Sequence, residues 1–220
     1  MRTIWVLTAA GALAAAAWGA DCVVEPAPAA DLTADSPAYD ATLELKWDSG
    51  SSSYQIAYYT GAGAWVGNDF DISTLAGYRA VASMRVYTST TWPNSQWEGF
   101  RLGIFDYTSS VPGSLLWGPK FAMGSRTGWN NFSVGWTLPT GKDAFIAAVE
   151  QYYNYPNCDP HVVDNNSNFL RHSWAYYAGR WGYYSNSTPG YYNLMIRVIV
   201  NNETLAVEPA SLGAVKSLFY

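Results

Sequence analysis

Short runs rich in Trp, Tyr, Phe, Val and Ile, each closed by a cluster of Gly, Pro, Asn, Asp or Ser, follow one another from Leu43 to Val200. No stretch inside this region carries a 3.6-residue apolar stripe. A βαβ architecture with a dinucleotide crevice is therefore excluded, and an all-β, antiparallel, jelly-roll-like β-sandwich is expected. The runs predict strands at 64–72, 80–87, 100–105, 115–121, 129–136, 145–150, 169–177, 181–184 and 192–200. Leu43, Leu45 and Trp47 alternate with Glu44 and Lys46, the segment Asp48 to Ser53 breaks the run, and Tyr54 to Tyr59 resumes it, which reads as a hairpin.

Such a fold has few charges with which to cover its surface. The 220 residues include 11 Trp, 17 Tyr and 8 Phe against 12 Lys or Arg and 17 Asp or Glu, for a net charge of −5. Lys and Arg are scattered singly, so the clustered cations that phosphate neutralisation needs are missing, and nucleic acid is excluded as a partner. The negative balance also makes acidic polymers poor partners.

The flanks are of a different character. Arg2 followed by the uncharged apolar stretch Ile4 to Trp18 and small residues reads as a secretory signal peptide over 1–20, cleaved near Ala17-Trp18-Gly19 or Ala20. The stretch is short of the roughly 20 apolar residues of a membrane span, so the protein is expected outside the cell or on its surface. Residues 21–42 are rich in Ala, Pro and Asp and read as an extended arm or linker. The sandwich should occupy 43–201, and the tail 202–220 should hold one short helix, Ser211 to Phe219, capped by Ser211. Cys22 invites lipidation, but Asp21 precedes it where a lipoprotein signal carries a small residue. The other reading is a Cys22–Cys158 disulfide formed in an oxidising compartment.

Several segments taken together carry a resemblance: Phe105-Asp106, Val111-Pro112-Gly113-Ser114-Leu115, Thr127-Gly128-Trp129, Ala144 to Glu150, and Asn193 to Val200. Over about residues 45–200 they resemble the jelly-roll β-sandwich modules appended to secreted bacterial peptidases and sorting-domain proteins. The resemblance implies a non-catalytic accessory module. Its motifs are turn and strand signatures, which specify fold more than function.

The inventory for catalysis is thin. There is no Gly-x-Ser-x-Gly elbow and no His-Glu-x-x-His motif. His161 and His172 are the only histidines, and His172 alternates with Leu170 and Trp174, as a packed or surface side chain would. A pair of carboxylates such as Glu98 and Glu150 could serve a glycosidase only if they faced one another across a cleft. The polar run Tyr155 to Ser167 offers oxygens for calcium from Asp159, Asp164, Asn165 and Asn166, with Asp69 and Asp71 as a further pair, or else forms an Asx-rich surface loop. Zinc through Cys158 and His161 is a weaker reading. No cofactor is required, and Ca²⁺ is the favoured candidate ion.

The aromatic residues are the stronger lead, because a flat ring with polar neighbours can hold the apolar face of a sugar. Trp92, Asn94, Gln96 and Trp97 between two strands, Tyr153 and Tyr155 after another, and Arg180 with Trp181 near the end of the domain are the candidate binding residues, with Trp174 and Tyr176 assigned to the core. The function expected is a secreted, non-enzymatic module that binds a glycan or another cell-surface component. A structural subunit that assembles by pairing the arm with a neighbour's strand edge is the alternative, and a secreted hydrolase comes third.

Overall fold

The computed structural model describes residues 22–27, 42–75, 77–89, 98–165, 171–186, 188 and 190–202. These residues form strands β1 (Cys22–Pro26), β2 (Thr42–Leu45), β3 (Tyr54–Tyr58), β4 (Ala64–Asp71), β5 (Ala80–Thr88), β6 (Phe100–Thr108), β7 (Val111–Ala122), β8 (Gly128–Thr137), β9 (Ala144–Gln151), β10 (His161–Asp164), β11 (Ser173–Tyr177), β12 (Arg180–Tyr183), β13 (Asn193–Leu194) and β14 (Ile196–Asn201). One 3-10 turn, Tyr184–Asn186, is the only helical element among them, and none is long and apolar enough to cross a membrane. The helix expected over 211–219 lies outside the described residues, as does the leader over 1–20.

All pairings are antiparallel. One layer is a six-stranded sheet ordered β12-β11-β4-β9-β6-β7. The opposite layer is made of two four-stranded sheets, β1-β3-β10-β13 and β2-β14-β5-β8. They are stitched together at Met195, whose N–H donates to the Val162 carbonyl at 3.0 Å and whose carbonyl accepts from the Tyr87 N–H at 3.1 Å. Between the layers lies the main core, with Ile56, Val66, Phe70, Met84, Leu102, Ile104, Phe145, Val149, Leu194 and Val198 among its members. Each large apolar side chain buried this way contributes roughly 1.5–3 kcal/mol.

Two polar side chains cross this core. Asn68 donates from Nδ2 to the carbonyls of Leu194 and Ile196, both at 2.9 Å, on either side of the point where the chain passes from β13 to β14. Gln151 mimics a strand neighbour for β3: its Oε1 accepts from the Tyr58 N–H at 2.9 Å and its Nε2 donates to the Tyr58 carbonyl at 2.8 Å. Both satisfy backbone groups that would otherwise be orphaned in apolar surroundings.

Three expectations need correction. The segments 43–47 and 54–59 do not form a hairpin: β2 pairs with β14, and β3 pairs with β1 and β10. The cause is the link between them, where Asp48 is drawn to Arg197 of β14 and the Ser49 N–H donates to Asp164 of β10, so the chain changes sheets there. The polar run expected as a loop contains β10, because Val162 and Val163 supply a buried strand and Asp164 and His161 are themselves buried. Part of the arm, Cys22–Pro26, is likewise a strand, paired to β3 of its own domain.

The Cys22–Cys158 disulfide is also absent. Cys22 stands opposite Tyr58, on the face of β3 that looks into the core, whereas Cys158 packs on Ala57, whose side chain leaves the other face. Alternation along β3 therefore puts the two sulfurs on opposite sides of the sheet.

Candidate functional site

The second aromatic cluster lies on the face of the six-stranded sheet that points away from the main core. Strand periodicity puts it there: on β4, Val66, Asn68 and Phe70 point inward, so Trp65, Gly67 and Asp69 point outward. Backbone register aligns three rows across the sheet. Trp181, Tyr176, Trp65, Glu150 and Arg101 form one, and Asp69, Ile146 and Phe105 another. Between them runs a row of small residues, Gly67, Ala148 and Gly103.

At Gly103 the missing side chain leaves a hollow that the Trp65 ring fills. A Cβ on Gly103 would come within 2.7 Å of Trp65 Cζ3, so the indole rests directly on the Gly103 backbone. At Gly67 a Cβ would meet the Ala147 carbonyl at 2.6 Å, which leaves no alternative to glycine there. Trp65 meets Phe105 edge-on at 5.0 Å between centroids, and Trp181 meets the same Phe105 at 5.1 Å. In the sheet order β12 and β6 are four positions apart, which in a flat sheet would be about 19 Å. The contact between their rings shows that this face curls inward. Phe105, Ile146, Ala148 and Trp174 are buried at the bottom of the cup, and Trp65, Tyr107, Trp181 and Tyr183 are half-buried on top of them.

Polar groups bound the cup along its rim. On one side the Glu150 carboxylate, itself buried, is clamped by the Arg101 guanidinium, which also stacks on the Tyr152 ring at 4.9 Å. On the other, the Asp69 carboxylate accepts from Trp174 Nε1 at 2.7 Å and lies 2.9 Å from His172 Nδ1. Burial, together with the nearby Asp69 charge, pushes the Tyr107 phenol up to about 12, which keeps it a hydrogen-bond donor at any physiological pH. Beside Tyr176 an open groove of about 420 Å³ runs between the β3–β4 and β11–β12 turns, lined by Thr60, Gly63, Tyr176, Tyr177 and Gly179. Half-exposed rings framed by fixed donors and acceptors suit a ligand with an apolar face and a polar edge.

Of the residues expected to bind, Trp181 belongs to this cup, and Arg180 is exposed beside it at the start of β12. Tyr153 is exposed elsewhere, edge-on to Tyr152 at 4.7 Å, and Tyr155 packs against Tyr59 at 5.2 Å on the outer side of β3. Trp92, Asn94, Gln96 and Trp97 lie outside the described residues. Trp174, assigned to the core from sequence, is buried in the second apolar cluster, whereas Tyr176, assigned likewise, is half-buried on the same face. Trp65 and Tyr107 were not singled out from sequence, and Phe105 entered only through the fold resemblance. The available signal was Gly67, Gly103 and Ala148, small residues in mid-strand, which mark places where something lies close over the sheet.

The oxygens expected to bind calcium do not converge. Asp159 accepts from the N–H groups of Glu98 and Gly99, and Asp164 accepts from that of Ser49, so both carboxylates are engaged in tying loops together; the Asn165 backbone N–H donates to Ser53 Oγ, and Asn166 lies outside the described residues. Asp71 caps the Ser73 N–H, and Asp69 serves His172 and Trp174. Among the described residues no group of three or more His, Cys, Asp or Glu side chains has a metal-holding arrangement. Cys158 and His161 lie on opposite sides of β3, because His161 stands opposite the inward Ile56. Burial pushes the His161 imidazole down to about 3 and keeps it neutral. With Glu150 and Asp159 it lines a cavity of about 20 Å³, room for about one water.

Asp159 makes a pH prediction. Burial raises its carboxyl to about 6, despite the two N–H groups that favour the anion, against about 3.9 in an unfolded chain. The folded state thus holds the proton more tightly, and the stability this gives is full below about pH 4 and lost as pH rises through 6. Asp159→Asn removes the charge and keeps one acceptor oxygen, enough for the Gly99 N–H but not also for that of Glu98. It should flatten the dependence of stability on pH between 4 and 6, as read from urea melts across that range.

No family model and no curated protein matches the sequence. The fold does have solved counterparts. A crystal structure of the cysteine protease and lectin-like domains of Cwp84, a surface layer associated protein of Clostridium difficile, aligns with a TM-score of 0.55 at 14% identity, over 74% of this chain and 36% of that one. The clostridial cysteine protease Cwp84 after propeptide cleavage aligns with a TM-score of 0.51 at 16% identity, over 74% of this chain and 41% of that one. The chain thus spans well under half of these neighbours, and what they share with it is fold.

Proposed function

We propose that this chain is an exported, non-catalytic module with a jelly-roll-like sandwich that binds carbohydrate at the cell surface through the curled aromatic face of its six-stranded sheet. The observation that carries the reading is the row of half-buried rings, Trp181, Tyr176 and Trp65, lying across the strands beside a row of small residues. Trp65 rests on the Gly103 backbone and Trp181 is braced by Phe105 and Tyr176, so these rings are held before any ligand arrives and little ordering entropy is lost on binding. The likeness to structures containing a lectin-like domain supports the same reading, taken as falling on that domain.

The two carboxylates nearest the face argue for binding over turnover. Glu150 is neutralised by Arg101, and Asp69 is engaged by two donors, whereas a glycosidase needs one free acid and one free base facing each other across the sugar.

The test is retention on a glycan array and on purified bacterial cell wall by the mature protein and its Trp65→Ala and Trp181→Ala variants. Each substitution should weaken retention by at least 2 kcal/mol, about 30-fold, the scale of an aromatic anchor in an interface. Far-ultraviolet circular dichroism should stay unchanged. Full retention by both variants would remove the face from consideration.

A further inference from the structure

Resting on that reading, we infer that His172 is the specificity-determining residue of the aromatic face: its Nε2 accepts a hydrogen bond from a peripheral hydroxyl of a neutral pyranose stacked on the neighbouring rings. The imidazole is held more rigidly than a surface histidine needs to be. Its Nδ1 lies 2.9 Å from Asp69 Oδ2, and its face stacks on Trp47 at 3.6 Å between centroids with the planes 6° apart. Its carbonyl accepts from the Asp69 N–H at 3.0 Å.

The partners are fixed in turn. Trp47 donates from Nε1 to the Asp69 carbonyl at 2.7 Å, and the Asp69 carboxylate takes Trp174 Nε1 on its second oxygen. A carboxylate can only accept, so Nδ1 of a neutral imidazole must carry the proton and Nε2 must be the acceptor. That nitrogen has no hydrogen-bond partner among the described residues and is not enclosed, since the side chain keeps 31% of its surface. A fixed, solvent-facing acceptor sharing a carboxylate with a ring of the cup is what a polar rim supplies to a stacked sugar.

The ligand class follows from the shape. Stacking needs a pyranose whose ring face carries only C–H bonds, so its hydroxyls must be equatorial and project from the edge, where His172 stands. On β4 the span from Trp65 to Asp69 is about 13 Å at strand rise, the length of a short β-linked oligosaccharide. The two carboxylates nearest the face are compensated, Glu150 by Arg101 and Asp69 by its donors, so no free negative charge opposes a neutral chain.

The probes are cellotetraose, chitotetraose and xylotetraose, followed by mono-deoxy analogues of whichever binds the wild-type protein best, all measured by calorimetry. Wild type should bind at least one tetrasaccharide and should lose about 10-fold on one particular deoxy analogue, the scale of a single hydrogen bond to a fixed partner. His172→Phe keeps a flat ring on Trp47 but has no acceptor. It should bind the parent sugar about 10-fold more weakly and no longer distinguish that analogue from it. Two-bond ¹H–¹⁵N spectra of the wild-type protein should show the Nδ1–H tautomer and a shift of the Nε2 resonance on adding sugar. Discrimination retained by His172→Phe, or an Nε2–H tautomer, overturns the inference and leaves the aromatic face standing. Binding of none of the three sugars by the wild-type protein overturns both.

Discussion

Asp48→Ala should lower the unfolding free energy by about 3–5 kcal/mol, the cost of removing one partner from a buried ion pair. Asp48 is fully enclosed and receives Arg197 twice, from Nε at 3.0 Å and from Nη2 at 2.5 Å, while the Gly50 N–H donates to it at 2.9 Å. The Trp129 ring covers the guanidinium at 4.0 Å, so water cannot replace the lost carboxylate on that side. Glu44 still reaches Arg197 at 3.1 Å but is shared with Arg85. The double variant Asp48→Ala with Arg197→Met should regain part of the loss, because no charge is then left stranded. Urea unfolding of the wild type, both single variants and the double variant measures the cycle. A wild-type midpoint for Asp48→Ala would mean that the pair does not hold the β2–β3 crossover.

That crossover also marks where sequence reading stopped. Alternation along Leu43 to Trp47 and Tyr54 to Tyr59 showed two strands correctly, but a local pattern says nothing about partners. The partner of β2 is β14, more than 150 residues away, and it is selected by the Arg197 and Asp48 charges meeting in the folded state. Most strands between Ala64 and Val200, such as β4, β5, β6 and β9, were legible because they have a buried face and close on turn residues. Strand β10 was not, because Asp159, His161 and Asp164 read as solvated although all three are buried. The site shows the same division. The density of rings near Trp181 pointed to it, but the row that joins Trp181 to Trp65 crosses strands distant in sequence and exists only in register. The burial of Trp174 was legible, but not which cluster it joins, because one strand's period cannot tell two buried faces apart and here both faces of the sheet carry an apolar cluster.

Asn68→Leu should be nearly as damaging, at about 3 kcal/mol or more, although the two side chains have the same number of heavy atoms and the same branching. In the wild type Nδ2 serves the carbonyls of Leu194 and Ile196, and Oδ1 accepts from Ser173 Oγ at 2.8 Å; that hydroxyl oxygen in turn accepts the Leu194 N–H at 3.0 Å. Leucine leaves two carbonyls and a hydroxyl short of partners in the core, and each such group costs about 1–3 kcal/mol. The carbonyls flank Met195, where the two sheets of the opposite layer join, so the loss should appear first as faster hydrogen exchange at the Met195 and Tyr87 amides. It should also reach the binding face, because Asn68 pins β4 between Gly67 and Asp69 and thereby sets which residues of that strand look outward. Thermal melts and exchange at those two amides are the measurements. If Asn68→Leu melts with the wild type and exchange there is unchanged, the junction is held by the strand pairing alone, and the aromatic rows owe their orientation to β9 and β11 rather than to this side chain.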